Sequence, residues 1–388
     1  MIDSPDKIIA PDAISFPEIR AMHIRASNFF GGPEKQILEH LKLLKKGQIQ
    51  PLLCSFCEKG GETELAVRAR ALGIRSFSVR CLGAYDPAQV LRLRKIFTRE
   101  KPHLVCTHDY RSTFLSLIAR PMLPVRQIAF LRGVTKENLK VALFYKIENR
   151  LLRGMDHVVV VSKKQQDSVI VKGCPAGKVS LVPNAVEIEL DDNLSTPSTL
   201  LRKFRGKTII ATAGRLSPEK GHEYLIEAMP RVTAGRKDAV LLVFGDGPLR
   251  EHLTRLAGKV GCGDSIHFLG YVPGFSSFLK DIHLFVLPSL MEGLPNALLE
   301  ALAAAKPVVA TAVGGVPDIV TDRKTGIVVL PRDSARLGDA ITELLSDRGL
   351  AQALGLAGQE VIRESYSFEK QLRLLMDVYK KTLSVEKT

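Results

Sequence analysis

Two carboxylates, Glu292 and Glu300, stand with seven residues between them in PSLMEGLPNALLEALAAAKPVVATAVGG, residues 288–315. The stretch reads as a strand end, a loop and a helix that opens near Pro295. Proline suits the first helical turn, because its missing N–H costs nothing there. A helix N-terminus after a strand is a ready anion site, so the amides of residues 294–297 offer one, bracketed by two negative charges. Glu292 precedes the helix and Glu300 lies about a turn and a half into it. They cannot stack on each other, so they should meet different parts of a ligand.

Cations of the right kind occur upstream. In TAGRLSPEKGHEYLIEAM, residues 212–229, a strand ends at Gly214, Arg215 follows at once, and Lys220 and Gly221 precede a helix. Arg as a fork and Lys as a point charge can clamp a diphosphate at such a junction; the alternative is two ordinary solvated cations. In VFGDGPLREHL, Gly245 and Gly247 flank Asp246 after a strand and permit a sharp turn with close backbone approach. This is half of a dinucleotide fingerprint, without the full glycine spacing. Gly270 and Tyr271 in FLGYVP end another strand, where the ring could face a flat base or simply fill a turn. Gly314 and Gly315 in TAVGGVPDIV mark one more strand-to-helix loop.

The elements that must position these residues are legible in the hydropathy pattern. AMHIRAS, PLLCSF, SFSVR, HLVCTH, QIAFL and HVVVVS are short apolar runs separated by helical segments such as AQVLRLRKIFTRE and DYRSTFLSLIAR. Such runs suit strands buried on both faces of a parallel sheet, and alternation with helices predicts a doubly wound α/β domain. A second series begins at KTIIATAGRL and runs through AVLLVFGDG, IHFLGYV, LFVLPS, PVVAT and GIVVL. Between them, ELDDNLSTPSTLLRKFRG is rich in Asp, Ser, Thr and Pro and reads as a linker. The expected division is a first domain over 1–190, a linker over 191–206, a second domain over 207–365 and a terminal amphipathic helix within 366–388. In open α/β sheets ligands bind beyond the C-terminal strand ends, so two such domains should share a two-part ligand in one cleft.

Composition narrows the classes. The 388 residues are 45% hydrophobic and 25% charged, as in globular domains. No run of eighteen apolar residues is present to span a membrane, and the first twenty residues lack a signal-peptide core, so the expected location is cytoplasmic. The six cysteines include one isolated C-x-x-C, Cys54 and Cys57, without the four ligands zinc needs; they read as small buried residues. The net charge of +14 is uneven: residues 1–190 hold 30 Lys and Arg against 18 Asp and Glu, the rest 25 against 23. A basic first half attracts acidic substrates or anionic membranes, and LEHLKLLKK and VLRLRKIFTREK mix apolar and cationic residues in a way that suits docking on an anionic bilayer.

Taken in order, AGRLSPEKG, FGDGP, FLGYV, the Glu292–Glu300 pair, ALAAAKPVVAT and VGGVPDIV resemble glycosyltransferase family 4, with GGPEKQ, HLVCTHDYRS, VVVVS and VPNAVEIE matching more loosely in the first half. The resemblance implies a GT-B fold, two Rossmann-like doubly wound domains facing a central cleft, with the terminal helix packing back on the first. It implies a retaining glycosyltransferase, moving a hexose from a nucleotide diphosphate sugar to a glycan or lipid-linked acceptor in polysaccharide, lipopolysaccharide or glycolipid synthesis. Arg215 and Lys220 would neutralise the departing diphosphate, Glu292 would hold the sugar's hydroxyls and Glu300 the ribose. Gly32, Gly214, Gly245, Gly270, Tyr271, Leu294, Asn296 and Ala297 would complete the donor site, and His108 would lie near the transferred sugar, facing the cleft. Gly31 and Arg132 fall on the acceptor side. Arg132-Gly133 stands where many relatives have His-Gly, which puts the acceptor chemistry in doubt and suits an anionic acceptor. PNA at 183–185 replaces the more usual PNG.

The mechanism this implies is same-face attack, with the leaving diphosphate helping to deprotonate the acceptor. No cofactor and no metal are expected, since the cation pair does the work of Mg²⁺ and no D-x-D occurs in a metal-site context. No nucleic-acid partner is expected, and the enzyme would work in the cytoplasm, peripherally on the inner face of the membrane. Two other classes stay open: an enzyme of the nucleotide-sugar epimerase type on the same fold, and a basic module binding membrane or nucleic acid. An acceptor-dependence assay separates the first, and salt-sensitive binding without turnover identifies the second.

Overall fold

The computed structural model describes residues 19–27, 29–47, 49–58, 61–83, 86–132, 150–188 and 199–384. The first domain runs β1 (Ile19–Arg25), α1 (Gly32–Lys46), β2 (Ile49–Glu58), α2 (Glu64–Ala71), β3 (Arg75–Cys81), α3 (Ala88–Glu100), β4 (Leu104–Thr107), α4 (Tyr110–Ala119), β5 (Arg126–Leu131), β6 (His157–Val160), α5 (Lys163–Val171) and β7 (Val179–Leu181). The second runs α6 (Thr199–Arg202), β8 (Thr208–Ala213), α7 (His222–Gly235), β9 (Ala239–Phe244), α8 (Arg250–Lys259), β10 (Ile266–Gly270), β11 (Leu284–Leu287), α9 (Asn296–Ala303), β12 (Val308–Thr311), α10 (Val316–Ile319), β13 (Ile327–Val329), α11 (Ser334–Ser346) and α12 (Arg348–Ser365). Helix α13 (Phe368–Ser384) ends the described chain.

Among the described residues two sheets form, ordered β3-β2-β1-β4-β5-β6-β7 and β10-β9-β8-β11-β12-β13, with every neighbouring pair parallel. The continuous apolar runs explain this. Strands β4, β6, β11 and β12 are buried at every position, which only a sheet covered by helices on both faces allows. Strand order reverses between β1 and β4 and between β8 and β11. Crossovers leave in opposite directions there and open a crevice at the strand ends. Glu292 follows β11 and Arg215 follows β8, so both stand beside the second reversal.

Helix α13 returns to the first domain. Leu375, Val378 and Tyr379 join one core with Ile19, Leu44, Cys106, Ile128 and Phe130. The crossing is pinned where Val186 N donates to Tyr366 O at 2.9 Å and Gln371 Nε2 donates to Pro183 O at 2.8 Å. All six cysteines are free and buried.

One expectation needs correction. Residues 199–206 are not linker: α6 forms there, and Leu201 and Phe204 are buried in the second domain's core with Ile209 and Val240. The polar composition of the segment hid a short apolar helix. The rest of the expected linker, 191–198, lies outside the described residues. Of the segments read as suiting membrane docking, Leu41 and Leu44 of α1 and Leu93 and Phe97 of α3 are core, while Leu91 is 64% exposed. A half-exposed apolar stripe in the first domain is formed by Tyr110, Phe114 and Ile118 of α4, spaced four apart and so on one helix face.

Candidate active site

Glycines let the loops at the second domain's strand ends close on one another. Gly245 has φ of +135°, and a Cβ there would lie 1.9 Å from Gly214 O. Gly314 has φ of +55°, and a Cβ would lie 2.0 Å from Glu292 O. Gly315 N donates to Gly293 O at 2.8 Å, so the loop after β12 braces the loop that carries Glu292. Gly245 N likewise donates to Gly270 O at 2.7 Å. The sequence-derived residues Gly214, Arg215, Gly245, Gly270, Glu292, Leu294 and Asn296 are thereby gathered around the β8/β11 crevice.

The opening charge problem is answered by pairing. Lys220 Nζ contacts Glu292 Oε1 at 2.7 Å, and Ser289 Oγ donates to the same oxygen at 2.6 Å. Lys35 Nζ, from α1 of the other domain, contacts Glu300 Oε1 at 2.5 Å. Each carboxylate is compensated, with its ion-paired contact on one oxygen only. Arg215 is exposed at the edge of the same crevice. Pro295 is corrected by one position: it is the N-cap, with extended backbone, and α9 starts at Asn296. Its ψ of 115° is what turns the chain into the helix. Asn296 Oδ1 is buried without a hydrogen-bond partner among the described residues, and an orphaned acceptor at a helix N-terminus is suited to a ligand. Across the crevice, a Cβ on Gly32 would come within 2.6 Å of Asn296 Nδ2, so the starts of α1 and α9 nearly touch.

Other first-domain residues sit differently from expectation. Gly31 N donates to Glu34 Oε2 at 3.0 Å, so this amide is taken up by the first turn of α1. Tyr271 bridges the domains: its hydroxyl donates to Phe30 O at 3.2 Å and its ring meets Phe29 edge to face at 5.6 Å. His108 does not face the cleft. It is buried, with Nε2 2.9 Å from His23 Nδ1 and Nδ1 3.4 Å from Arg132 Nε. The residue ends a strand, and its side chain turns beneath the crevice floor against Phe130. Arg132 covers it and also donates from NH1 to Asn184 Oδ1 at 3.2 Å. Gly133 lies outside the described residues. Asn184 Nδ2 in turn donates to Leu294 O at 2.8 Å in the second domain.

Sequence reasoning missed Lys35, Ser289, Asn184, His23 and Tyr379. Lys35 lies inside the quoted GGPEKQ, Ser289 inside PSLMEGLPN and Asn184 inside PNA, so adjacency to a glycine pair or a strand end was the available signal. No local pattern ties Tyr379 to His23, 356 positions away.

The buried imidazoles make stability acid-sensitive. Burial, reinforced by Arg132, pushes His23 down to about 3, and burial with Lys220 nearby pushes His222 to about 3. His40 and His108 are held well below the ordinary 6.5 by burial and by neighbouring cations and imidazoles. The folded state keeps these groups neutral, whereas the unfolded chain protonates them below about 6.5. Unfolding therefore takes up protons between about pH 6.5 and 3, and stability falls as pH drops through that window, by about 1.4 kcal/mol per pH unit for each imidazole. Urea midpoints should be constant above pH 7 and decline steadily from pH 6 to 5; a flat profile contradicts the assignment.

Known proteins share this organisation. A family model described as Glycosyltransferase Family 4 matches residues 30–190, and one described as Glycosyl transferases group 1 matches residues 200–361. The chain is 32% identical over 253 residues to an uncharacterized glycosyltransferase of Methanocaldococcus jannaschii, covering 61% of this chain and 65% of that one. It is 31% identical over 243 residues to the GDP-mannose-dependent alpha-(1-6)-phosphatidylinositol monomannoside mannosyltransferase of Mycobacterium tuberculosis, covering 59% and 62%. The matched stretch thus spans just under two thirds of each of these relatives' own length. Among solved structures, Anabaena HepE in complex with UDP and glucose superposes with a TM-score of 0.81 at 17% identity, over 94% of this chain and 100% of that one. A sucrose-phosphate synthase from Thermosynechococcus elongatus gives 0.79 at 19%, over 95% and 100%. At these identities the likeness is one of fold, the two facing Rossmann-like domains of the GT-B architecture.

Proposed function

Because the chain belongs to glycosyltransferase family 4, we propose that it transfers a sugar from a nucleoside diphosphate sugar to a glycan or lipid-linked acceptor. We place it in the synthesis of a cell-surface polysaccharide, lipopolysaccharide or glycolipid, with retention of anomeric configuration. The observation that carries this reading is the pairing of Lys220 with Glu292 and of Lys35 with Glu300 at the mouth of one crevice. A diphosphate meets Lys220, Arg215 and the start of α9; polyols on either side meet the second oxygens of Glu292 and Glu300. An anion flanked by two sets of hydroxyls describes a nucleotide sugar. Related names support this, since HepE is solved with UDP and glucose and the mycobacterial relative uses GDP-mannose.

In the transition state the anomeric carbon becomes cationic and negative charge grows on the leaving phosphate. Fixed cations aimed at that charge are the protein's main contribution. The glycosidic bond to phosphate breaks, the acceptor oxygen bonds from the same face, and its proton passes to the departing phosphate. The scheme assigns the diphosphate charge to Lys220 and Arg215, without a metal. The half-exposed stripe of α4 begins one residue after the Asp109 that follows His108, so a lipid-linked acceptor lying in a membrane under α4 has a short path to the crevice.

The test is a melting-temperature screen against UDP-, GDP- and ADP-sugars, followed by turnover with and without acceptor fractions, in EDTA, and with anionic vesicles for flotation. A bound donor at about one hundred times its Kd adds about 2.7 kcal/mol of stability. A chain stabilised by no nucleotide sugar and turning over none refutes the reading. Turnover abolished by EDTA and restored by a divalent ion overturns the metal-free scheme, and absence of flotation removes the membrane.

A further inference from the structure

Arg132, partly buried in the first domain, makes no direct contact with a carboxylate among the described residues, Glu34 acting on it only from a distance. Arg25 and Arg132 both reach the floor of the first domain. Arg25 is matched by carboxylates, with Nε 2.8 Å from Glu34 and NH1 3.8 Å from Asp109. Arg132 forms no ion pair with any carboxylate among the described residues, and its hydrogen bonds there go to neutral acceptors, His108 Nδ1 and Asn184 Oδ1. A guanidinium has five N–H donors, so two are used in this way. Placing a cation on neutral partners in a desolvated position is costly, and a second anion at the fork offsets that cost.

The support beneath it is built for one orientation. Arg132 can only donate, so His108 Nδ1 must carry the lone pair and Nε2 the proton. His108 Nε2–H then donates to His23 Nδ1, which places His23's proton on Nε2, 3.2 Å from the Tyr379 hydroxyl. One tautomer is thereby fixed along Arg132, His108, His23 and Tyr379, and the last lies on the helix returned from the second domain. Protonating His108 would remove the lone pair that holds Arg132, and burial keeps that imidazole neutral.

We propose that Arg132 is the oxyanion-reading side chain of the acceptor subsite, and that the acceptor carries a phosphate or carboxylate near the hydroxyl that receives the sugar. This rests on the glycosyl-transfer reading above. The acceptor rather than the donor is assigned because the donor's diphosphate meets Arg215 and Lys220 on the second domain. Arg132 belongs to the first domain and is joined to the second by hydrogen bonds that run through Asn184 to Leu294 O. A fork with free N–H groups takes a planar or tetrahedral oxyanion in two parallel hydrogen bonds. His108, His23 and Tyr379 are positioning residues for it.

The probe is inorganic phosphate, titrated into full-length protein labelled with ¹⁵N-histidine. The donor subsite is kept filled first by UDP and then by GDP, and the His108 resonances are identified by their loss in His108→Gln. Phosphate should shift the His108 and His23 nitrogen resonances saturably. Arg132→Gln should abolish the shift, Arg132→Lys should weaken binding about tenfold because a point charge replaces the fork, and Lys220→Ala should leave it intact. Tyr379→Phe should alter the His23 tautomer signal and raise the acceptor KM more than it lowers kcat. If phosphate moves no imidazole at tens of millimolar, or moves it equally in folded Arg132→Gln or Arg132→Lys protein, the site does not exist. If UDP or GDP alone produces the full shift and phosphate adds nothing, Arg132 serves the donor and the acceptor assignment is overturned. Because the readout is binding, a chain that turns over no nucleotide sugar but passes this test separates the two readings.

Discussion

Lys220→Ala is expected to lower kcat/KM by about 10²–10³-fold, the range found when one preorganised donor to a developing oxyanion is removed. On the proposed reading Lys220 is held for that task. Its ammonium is 2.7 Å from Glu292, and its methylenes run beside Gly214, where a Cβ would meet them at 3.7 Å. An ammonium has three N–H donors, so the ion pair with Glu292 leaves two for a phosphate. The substitution has a second effect, because it strips compensation from Glu292, whose side chain is only 7% exposed. An uncompensated carboxylate would repel the incoming diphosphate. The double variant Lys220→Ala/Glu292→Gln separates the two causes. If Lys220 stabilises the leaving group, the double variant stays as slow as Lys220→Ala. Recovery to within tenfold of the parent would show that the lysine merely silences Glu292. Melting temperature should fall as well, since Glu292 is nearly buried and keeps, among the described residues, only the Ser289 Oγ donor.

Gly314→Ala is expected to be severely damaging for a substitution that adds one methyl near the crevice. The added methyl would sit 2.0 Å from Glu292 O and 2.6 Å from Glu292 C, and both are backbone atoms. The left-handed conformation alone costs an L-residue roughly 1–2 kcal/mol, and relieving the overlap requires the Glu292 loop to move, which typically adds about 1–3 kcal/mol. A loss of about 2–5 kcal/mol follows, together with a raised donor KM, because the displaced loop carries both Glu292 and the approach to α9. Gly258→Ala is the matched control. It lies in exposed α8 with nothing within 4 Å of the new methyl, so it should be neutral or stabilise by up to about 1 kcal/mol. Urea denaturation and donor titration of the two variants read both effects, and Gly314→Ala with unchanged stability and KM would show that the brace is dispensable.

How much was legible in the sequence depended on how local the cause was. The strands of both sheets stood out because a parallel strand covered on both faces must be a continuous apolar run, and β4, β6, β11 and β12 are that. The residues that converge at the second domain's strand ends were legible too, since glycines at strand ends and the spacing of Glu292 and Glu300 are short-range features. What escaped was set by distant packing. Lys35 meets Glu300 across 265 positions, and neither residue announces the other. His108 was placed correctly at its strand end but pointed the wrong way, because the direction of a last strand residue is decided by its neighbours, here His23, Phe130 and Arg132. The segment over 199–206 was misassigned for the reverse reason: its flanking Ser, Thr and Pro outweighed Leu201 and Phe204, which carry its burial.

The return of α13 also decides how this molecule can be cut and recombined. The ordering of the chain along its length is not the ordering of its cores, since Leu375, Val378 and Tyr379 complete the interior of the domain that begins at Ile19. The passage out of the first domain and the passage back into it lie side by side, Val186 N bonded to Tyr366 O. A chimera that swaps the second domain between relatives at a single junction therefore removes a wall of the first. The exchangeable cassette is an insertion with two junctions, one between Val186 and Thr199 and one between Tyr366 and Phe368, leaving the terminal helix with its host.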